Sequence, residues 1–240
     1  MKPNNSSLQL NSKFILLLAM LYVTFSVAAD IVAFKFVTIL GLVESGATIL
    51  FPLTYVIGDI TCEVYGWQIS MKIVWIGLLC ELIFALLCAM VVYLPGAHID
   101  FFQTEYVDLI GKKLLLFVGA GIISNAVAGL LNIFLISRWK ILIRGKVFWV
   151  RSILATCISE FILILITVLI AFVPFINLKN TMHVFVNAYL LEIVYAVIFV
   201  IPAQMLVLYL KRQEGIDAYD YGISYNPFNF IQQNTVNEEK

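Results

Sequence analysis

The sequence predicts an all-α, polytopic membrane protein with six transmembrane helices, and three observations carry that prediction. Hydrophobic residues make up 62% of the 240-residue chain and charged residues 12%, against roughly 45–50% and about 25% in soluble domains. Six apolar stretches, 14–34, 47–65, 69–93, 114–137, 148–173 and 184–210, each come close to or exceed the ~20 residues an α-helix needs to cross a bilayer core. They show no strand-like alternation, which argues against a membrane β-barrel. Fifteen basic and fifteen acidic side chains cancel, so a soluble chain of this make-up would have too little polar surface to stay dispersed. Soluble enzymes, disordered chains and nucleic-acid binders are disfavoured; the expected solvent is the lipid bilayer.

The first stretch follows Lys2 and Lys13, and Ser26-Val27-Ala28 has the small-x-small look of a signal-peptidase site. More apolar sequence follows at once, from Ile31 to Phe36, so a retained helix is the better reading. The connection 37–45 is short, contains Gly41, and suits a re-entrant loop or a tight extracellular connection equally. In the second stretch Pro52 can loosen the first helical turns and free carbonyls toward a cavity. Trp139 and Trp149 bracket the basic connection between the fourth and fifth stretches, at headgroup level. Cys62, Cys80, Cys88 and Cys157 fall within spans without a CxxC pair, which reads as small buried hydrophobes and not as a disulfide framework or metal site. Residues 1–212 thus form the transmembrane domain. Residues 213–240, polar with interspersed Tyr219, Tyr221, Tyr225, Phe228 and Phe230, read as a cytoplasmic tail that is at best partly ordered.

Orientation follows from the basic residues. Lys2, Lys13, Lys72, Arg138, Lys140, Arg144, Lys146, Arg151, Lys211 and Arg212 share one side, ten in all, against Lys35, Lys112, Lys113 and Lys179 on the other. That places both termini in the cytoplasm.

The informative residues are the ionisable ones inside the spans: Asp30, Asp59, Glu63, Glu81, Glu160 and Glu192. A charge at a helix centre costs ~2.5–3.5 kcal/mol on insertion scales, so such groups usually face the bundle interior and mark a pathway. Only Lys35 and Arg151 offer themselves as basic partners near span ends. Six acids against two bases require that some acids are protonated, lie in a wet cavity, or meet a cationic ligand. Asp59 and Glu63 sit at i and i+4 on one helical face, and Tyr55 extends that stripe by a turn. Glu63 has an alternative as an interfacial partner of Lys72. Glu81, Glu160 and Glu192 lie deep enough for either a functional role or helix-to-helix hydrogen bonding by protonated carboxyls.

These residues describe a small polytopic protein with a polar interior, hence a transporter or channel, and no filter-like motif favours a channel. An intramembrane enzyme is not expected. Gly58-Asp59 stands alone, the Tyr219-Asp220 pair lies in the tail, no G-x-S-x-G elbow occurs, and His98 and His183 lie outside or at the edge of spans.

Ala29-Asp30-Ile31-Val32-Ala33-Phe34-Lys35, Phe51-Pro52-Leu53-Thr54-Tyr55 and Gly58-Asp59-Ile60-Thr61-Cys62-Glu63-Val64-Tyr65-Gly66 together resemble the queuosine precursor transporters, also called the vitamin-uptake-like transporter family. The resemblance continues through Val74-Trp75-Ile76-Gly77, Trp149-Val150-Arg151, Ile201-Pro202 and the tail from Glu214 to Phe228. It implies a six-helix protein of the bacterial inner membrane that imports a 7-deazaguanine: the 7-cyano base, its 7-aminomethyl relative, or queuine. On that resemblance Lys35, Phe51, Tyr55, Asp59, Glu63, Arg151 and Glu160 surround the substrate path. Carboxylates would accept from the ring N–H and exocyclic amine, and Phe51 and Tyr55 would stack on the base. The chain departs from the family pattern at Asp30 and Glu81, which stand for asparagines, at Leu163, which stands for an aspartate, and in the stretch around Glu192, which lacks a lysine; a lysine–aspartate arrangement becomes acidic, which points to a cationic ligand.

The expected partners are therefore a small nucleobase-like molecule and the bilayer, with no nucleic acid and no cofactor; a homo-oligomer is compatible. No G-x-x-x-x-G-K-[ST] motif is present, so energy must come from ion coupling, a separate partner or trapping of the product. Protons are the candidate ion, through Glu160 or Glu192. The competing readings are a transporter of another small molecule on the same scaffold and a membrane subunit that needs an energising partner.

Overall fold

The structure is a computed structural model that describes residues 13–33, 35–39, 41–95, 103–172 and 178–229. Lys2, Phe34, His98, Val173, Phe230 and Lys240, which enter the reading above, lie outside these residues. Helix α1 (Ile15–Val32) leads into a hairpin of β1 (Phe36–Ile39) and β2 (Leu42–Ser45). Then come α2 (Ala47–Tyr65), α3 (Trp67–Val92), the short α4 (Gln103–Asp108), α5 (Leu114–Leu142), α6 (Phe148–Thr167) and α7 (Leu178–Glu214). Among the described residues six helices are long and apolar enough to cross a membrane: Ile15–Val32, Ala47–Tyr65, Trp67–Val92, Tyr106–Leu142, Phe148–Ala171 and Thr181–Glu214.

The 37–45 connection is a tight one and not a re-entrant loop. It is an antiparallel hairpin with Val37 opposite Glu44 and Ile39 opposite Leu42. Its strands are short and rich in β-branched and apolar residues, and Gly41 takes the positive φ of 83° that the turn demands. The side chains alternate, so Val43 is exposed and Glu44 is turned inward, 1% exposed. At the other end of α2 a single residue, Gly66 at φ 87°, reverses the chain into α3. These two glycine-bounded turns set the limits of α2.

The bundle is inside-out relative to a soluble protein. Leu79, Leu82, Ile83, Leu86, Leu87 and Met90 on α3 are exposed, whereas Asp59, Glu63, Glu81, Arg151 and Glu160 are buried. Hydrocarbon solvates the first set at no cost and rejects the second. Since lipid gives helices no hydrophobic reason to associate, close packing of small residues does so. Ala120 and Ala128 of α5 and Ala155, Ser152 and Ser159 of α6 are all buried.

Both described ends of the chain meet at one end of the bundle, where the Phe14 N–H donates to Glu214 Oε1 at 3.2 Å. We call this the terminal end and the opposite one the hairpin end. After Glu214 the chain does not trail away from the bundle. Residues 215–229 lie across the terminal end, with the Ala218 N–H donating to the Val64 carbonyl at 3.0 Å. Tyr225 is wedged edge-on between Trp67 and Phe134, with centroids 5.3 and 5.1 Å apart, and the Trp75 indole N–H donates to the Pro227 carbonyl at 2.8 Å. Composition gave no sign of this docking, because its partners are scattered over α2, α3 and α5.

Candidate functional site

At the hairpin end the helices splay around a cavity of about 110 Å³. One water needs ~10–15 Å³ of such space, so the cavity admits several waters or one small organic molecule. Its wall is made by the end of α1 (Asp30), the hairpin (Glu44, Ser45), the start of α2 (Thr48, Phe51), α5 (Phe117, Ser124), the end of α6 (Leu163, Thr167) and α7 (Glu192). Pro52 lacks the N–H that would hold the carbonyl of Thr48 in a regular helix, and Thr48 is one of the lining residues.

Three hydroxyls of this wall, those of Ser45, Ser124 and Thr167, are satisfied within the protein. Thr167 Oγ1 donates to Ser124 Oγ at 2.9 Å, and Ser45 Oγ donates to the Ala33 carbonyl at 2.9 Å. The carboxylates are not. Asp30 Oδ2, Glu44 Oε1 and Glu192 Oε2 are buried without a hydrogen-bond partner, and no described Lys or Arg forms an ion pair with any of the three. Burial pushes the Glu44 carboxyl up to about 7, against the opposing hydrogen bond from the Ser45 backbone.

Deeper in, Tyr55 lies beside a pocket of about 10 Å³ shared with Tyr22, Asn125 and Asn132, room for about one water. Glu160 is 1% exposed, and neither of its carboxylate oxygens has a partner. Asp59 is better supplied, accepting hydrogen bonds from Asn132 Nδ2 and Ser152 Oγ. Electrostatic interaction links Glu44 to Glu192, Glu192 to Glu160, and Glu160 to Asp59. A file of carboxylates therefore runs from the hairpin end into the bundle.

The terminal end holds the opposite arrangement. Glu63 receives Arg151 at 2.8 Å and Lys211 at 2.6 Å, with Lys140 at 3.8 Å. Lys140 also donates to the carbonyls of Glu63 and Ala218, at 2.5 and 2.6 Å, and pairs with Asp217 at 2.6 Å. Lys211 reaches the same Asp217 oxygen at 2.9 Å. Burial pushes Asp217 up, but the hydrogen bonds and charges of Lys140 and Lys211 outweigh it and hold the group below its ordinary value. Asp220 accepts from the Trp67 N–H at 2.9 Å and from Ser137 Oγ at 2.5 Å. Its burial still leaves it raised.

The ten residues singled out from the sequence thus divide. Asp30, Phe51 and Glu192 line the cavity; Tyr55, Asp59 and Glu160 lie beneath it; Glu63 and Arg151 form the core of the terminal cluster. Glu81 is buried and interacts with Asp30, without lining the cavity. Lys35 is exposed at the start of the hairpin. Glu63 does not pair with Lys72, which is exposed, because Arg151 and Lys211 reach it from inside the bundle. Sequence reasoning missed Glu44, Lys140, Lys211 and the two Asp59 donors, Asn132 and Ser152. For Glu44 the signal was the Val43-Glu44-Ser45 alternation beside a glycine turn. For Lys140 and Lys211 it was masked by their use as topology markers. Among the described residues no group of three or more His, Cys, Asp or Glu side chains can hold a metal ion, and Cys62, Cys80, Cys88 and Cys157 are free thiols.

The chain matches the family model described as putative vitamin uptake transporter over residues 45–207, more than half its length. No curated protein and no solved structure matches it.

Proposed function

The chain belongs to the putative vitamin uptake transporter family, and from that premise we propose that it imports a queuosine precursor, a 7-deazaguanine base, across a bacterial inner membrane. We place both termini in the cytoplasm, on the side that collects ten basic residues against four. The cavity then opens outward, and the terminal cluster closes the cytoplasmic end. The observation that carries this reading is the cavity itself, with two phenylalanine rings, Phe51 and Phe117, beside carboxylates that have no partner. A guanine-like base offers the complement: π faces for the rings, and adjacent ring N–H and amino donors for a carboxylate. Nothing in the site calls for a reaction on the base, and we read the chain as a carrier, not an enzyme.

The carboxylate file from Glu192 through Glu160 to Asp59 supports proton coupling. The deciding experiment is complementation of a strain that can neither make nor import deazaguanines. Expression of the chain is expected to restore queuosine in tRNA when a precursor is supplied. Failure with the cyano base, the aminomethyl base and queuine alike overturns the reading. A second reading, another small molecule on the same scaffold, is favoured by the position of Leu163 and Glu192. Both residues, where the chain departs from the family resemblance, line the cavity.

A further inference from the structure

We propose that Glu44 of the hairpin and Glu192 of α7 form an ammonium-binding subsite, so that the transporter selects a substrate carrying a positively charged amine over its uncharged analogue. The proposal rests on the reading of the chain as an importer of 7-deazaguanine bases, and it names which members of that class fit.

Three carboxylates line a single cavity of about 110 Å³. A guanine-like edge offers two adjacent donors, enough for one of them. Asp30 is suited to that role: it comes from α1 and its electrostatic partner is Glu81, whereas Glu44 and Glu192 interact with each other. After a neutral base has bound, the Glu44–Glu192 pair still has no counter-charge. Both residues are nearly sealed, 1% and 4% exposed, and each keeps a carboxylate oxygen without any partner. An unpaired carboxylate in that position is costly, and a hydrogen-bonded cation is the economical remedy.

Among the described residues none supplies such a cation. Lys35 is exposed and does not line the cavity, and Arg151, Lys140 and Lys211 are all engaged at the terminal end. The carboxylates do not converge as metal ligands do. An ammonium group is less exacting than a metal ion. It is a compact charge with three donors, and two carboxylates approaching from different elements can share it. The hairpin gives the arrangement its specificity. Strand alternation turns Glu44 inward, while Gly41 and the Gly46–Lys35 backbone hydrogen bond of 2.7 Å fix the register that puts it there.

The test uses the full chain, purified and reconstituted into proteoliposomes, with initial uptake of 7-aminomethyl- and 7-cyano-7-deazaguanine measured in parallel. The wild type is expected to favour the aminomethyl base by at least about tenfold, the scale of one charge-assisted hydrogen bond. In Glu44→Gln and in Glu192→Gln that ratio is expected to fall at least about tenfold. Because the wild-type ratio needs no variant, equal uptake of the two bases, or preference for the cyano base, overturns the proposal even if a variant fails to fold. A ratio unchanged in folded Glu44→Gln and Glu192→Gln overturns it too.

A second arm separates the subsite from the substrate reading. Benzylammonium, but not benzyl alcohol, is expected to raise the melting temperature of the detergent-solubilised wild type and to lose that effect in Glu44→Gln. If neither base crosses the membrane and this difference persists, the import reading falls and the subsite stands. If both bases cross at equal rates and benzylammonium has no effect, the subsite falls and the import reading stands.

Discussion

The two ends of the bundle solve the same problem in opposite ways. At the terminal end, acids are met by bases: the buried Glu63 pairs with Arg151, Lys140 and Lys211, and the latter two also reach the exposed Asp217. At the hairpin end, Asp30, Glu44 and Glu192 surround a cavity with no base among them, and Glu160 below has no partner at all. Paired charges in a low-dielectric interior hold helices together, and unpaired ones inside a membrane span point by default to a functional site. On the proposed function, the terminal end is a lock and the hairpin end a binding path. The lock spans α2, α5, α6 and α7 and is completed by the segment after α7, so the docked tail belongs to the closed end and not to the solvent.

The largest expected effect comes from breaking the lock at its centre. Glu63→Gln leaves the buried Arg151 and Lys140 and the half-buried Lys211 against an uncharged amide, and removing one member of a buried pair typically costs ~3–5 kcal/mol. A marked drop in melting temperature in detergent is the expected result. A variant as stable as the wild type would show that the three cations find water or other partners, and the distinction between the two ends would lose its energetic basis.

A smaller effect is expected from removing the tail. Truncation after Glu214 takes away Asp217, Asp220 and Tyr225, but leaves the Glu63 pairs with Arg151 and Lys211. Cys62 is 1% exposed in the intact chain and lies one turn before Gly66, against which Ala218 and Asp220 pack. In a variant with Cys62 as its only cysteine, truncation is expected to raise maleimide labelling severalfold. Unchanged labelling would mean that the helices seal this end by themselves.

How much of this was legible in the sequence follows from the kind of signal each part leaves. Hydropathy marks spans well, and α2 coincides with its expected limits, 47–65, because glycines at 46 and 66 bound it on both sides. The buried acids stood out because lipid makes them expensive. Glu44 did not, since it sits in a connector where a glutamate is ordinary; only strand pairing turns it inward. Lys140 and Lys211 were visible, but as topology markers at span ends, and their burial depends on how α5 and α7 pack against α2. The docking of 215–229 was not legible in composition, although the family resemblance runs on through the tail to Phe228. Its polar composition resembles a solvated tail, and its anchors, Trp67, Phe134 and Ser137, are distributed over seventy residues of sequence.

Asp217 supplies a pH test of the tail. Its two lysine partners, Lys140 and Lys211, hold it below the ordinary carboxylate value, with Glu63 and Tyr219 the other titratable groups nearby. A lowered folded-state value means that its contribution is fully present above the ordinary value, near ~4, and is lost as pH falls through the lowered one. Because Asp217 is 44% exposed, the effect is small, under about 1 kcal/mol. Hydrogen exchange at the Ala218 amide, which donates to Val64, is expected to lose protection in acid relative to Asp217→Asn. Parallel behaviour of the two proteins across that range would show that Asp217 does not hold the tail.

The smallest stability effect is expected at the hairpin end, where it is the most informative. Glu160 has no partner to lose, so Glu160→Gln removes a burden and not a bond. Replacing an unpaired buried acid by a neutral isostere is expected to leave stability within about 1 kcal/mol, or to raise it. Glu192→Gln is expected to behave in the same way. Transport should respond in the opposite sense. If the carboxylate file carries the coupling proton, uptake driven by a pH gradient falls in both variants, while equilibrium binding of the base survives in Glu160→Gln, which does not line the cavity. Loss of stability in Glu160→Gln comparable to that of Glu63→Gln would show that its carboxyl is held by structure after all. Retention of gradient-driven uptake in both variants would remove the coupling role and leave the hairpin-end acids as a binding surface alone.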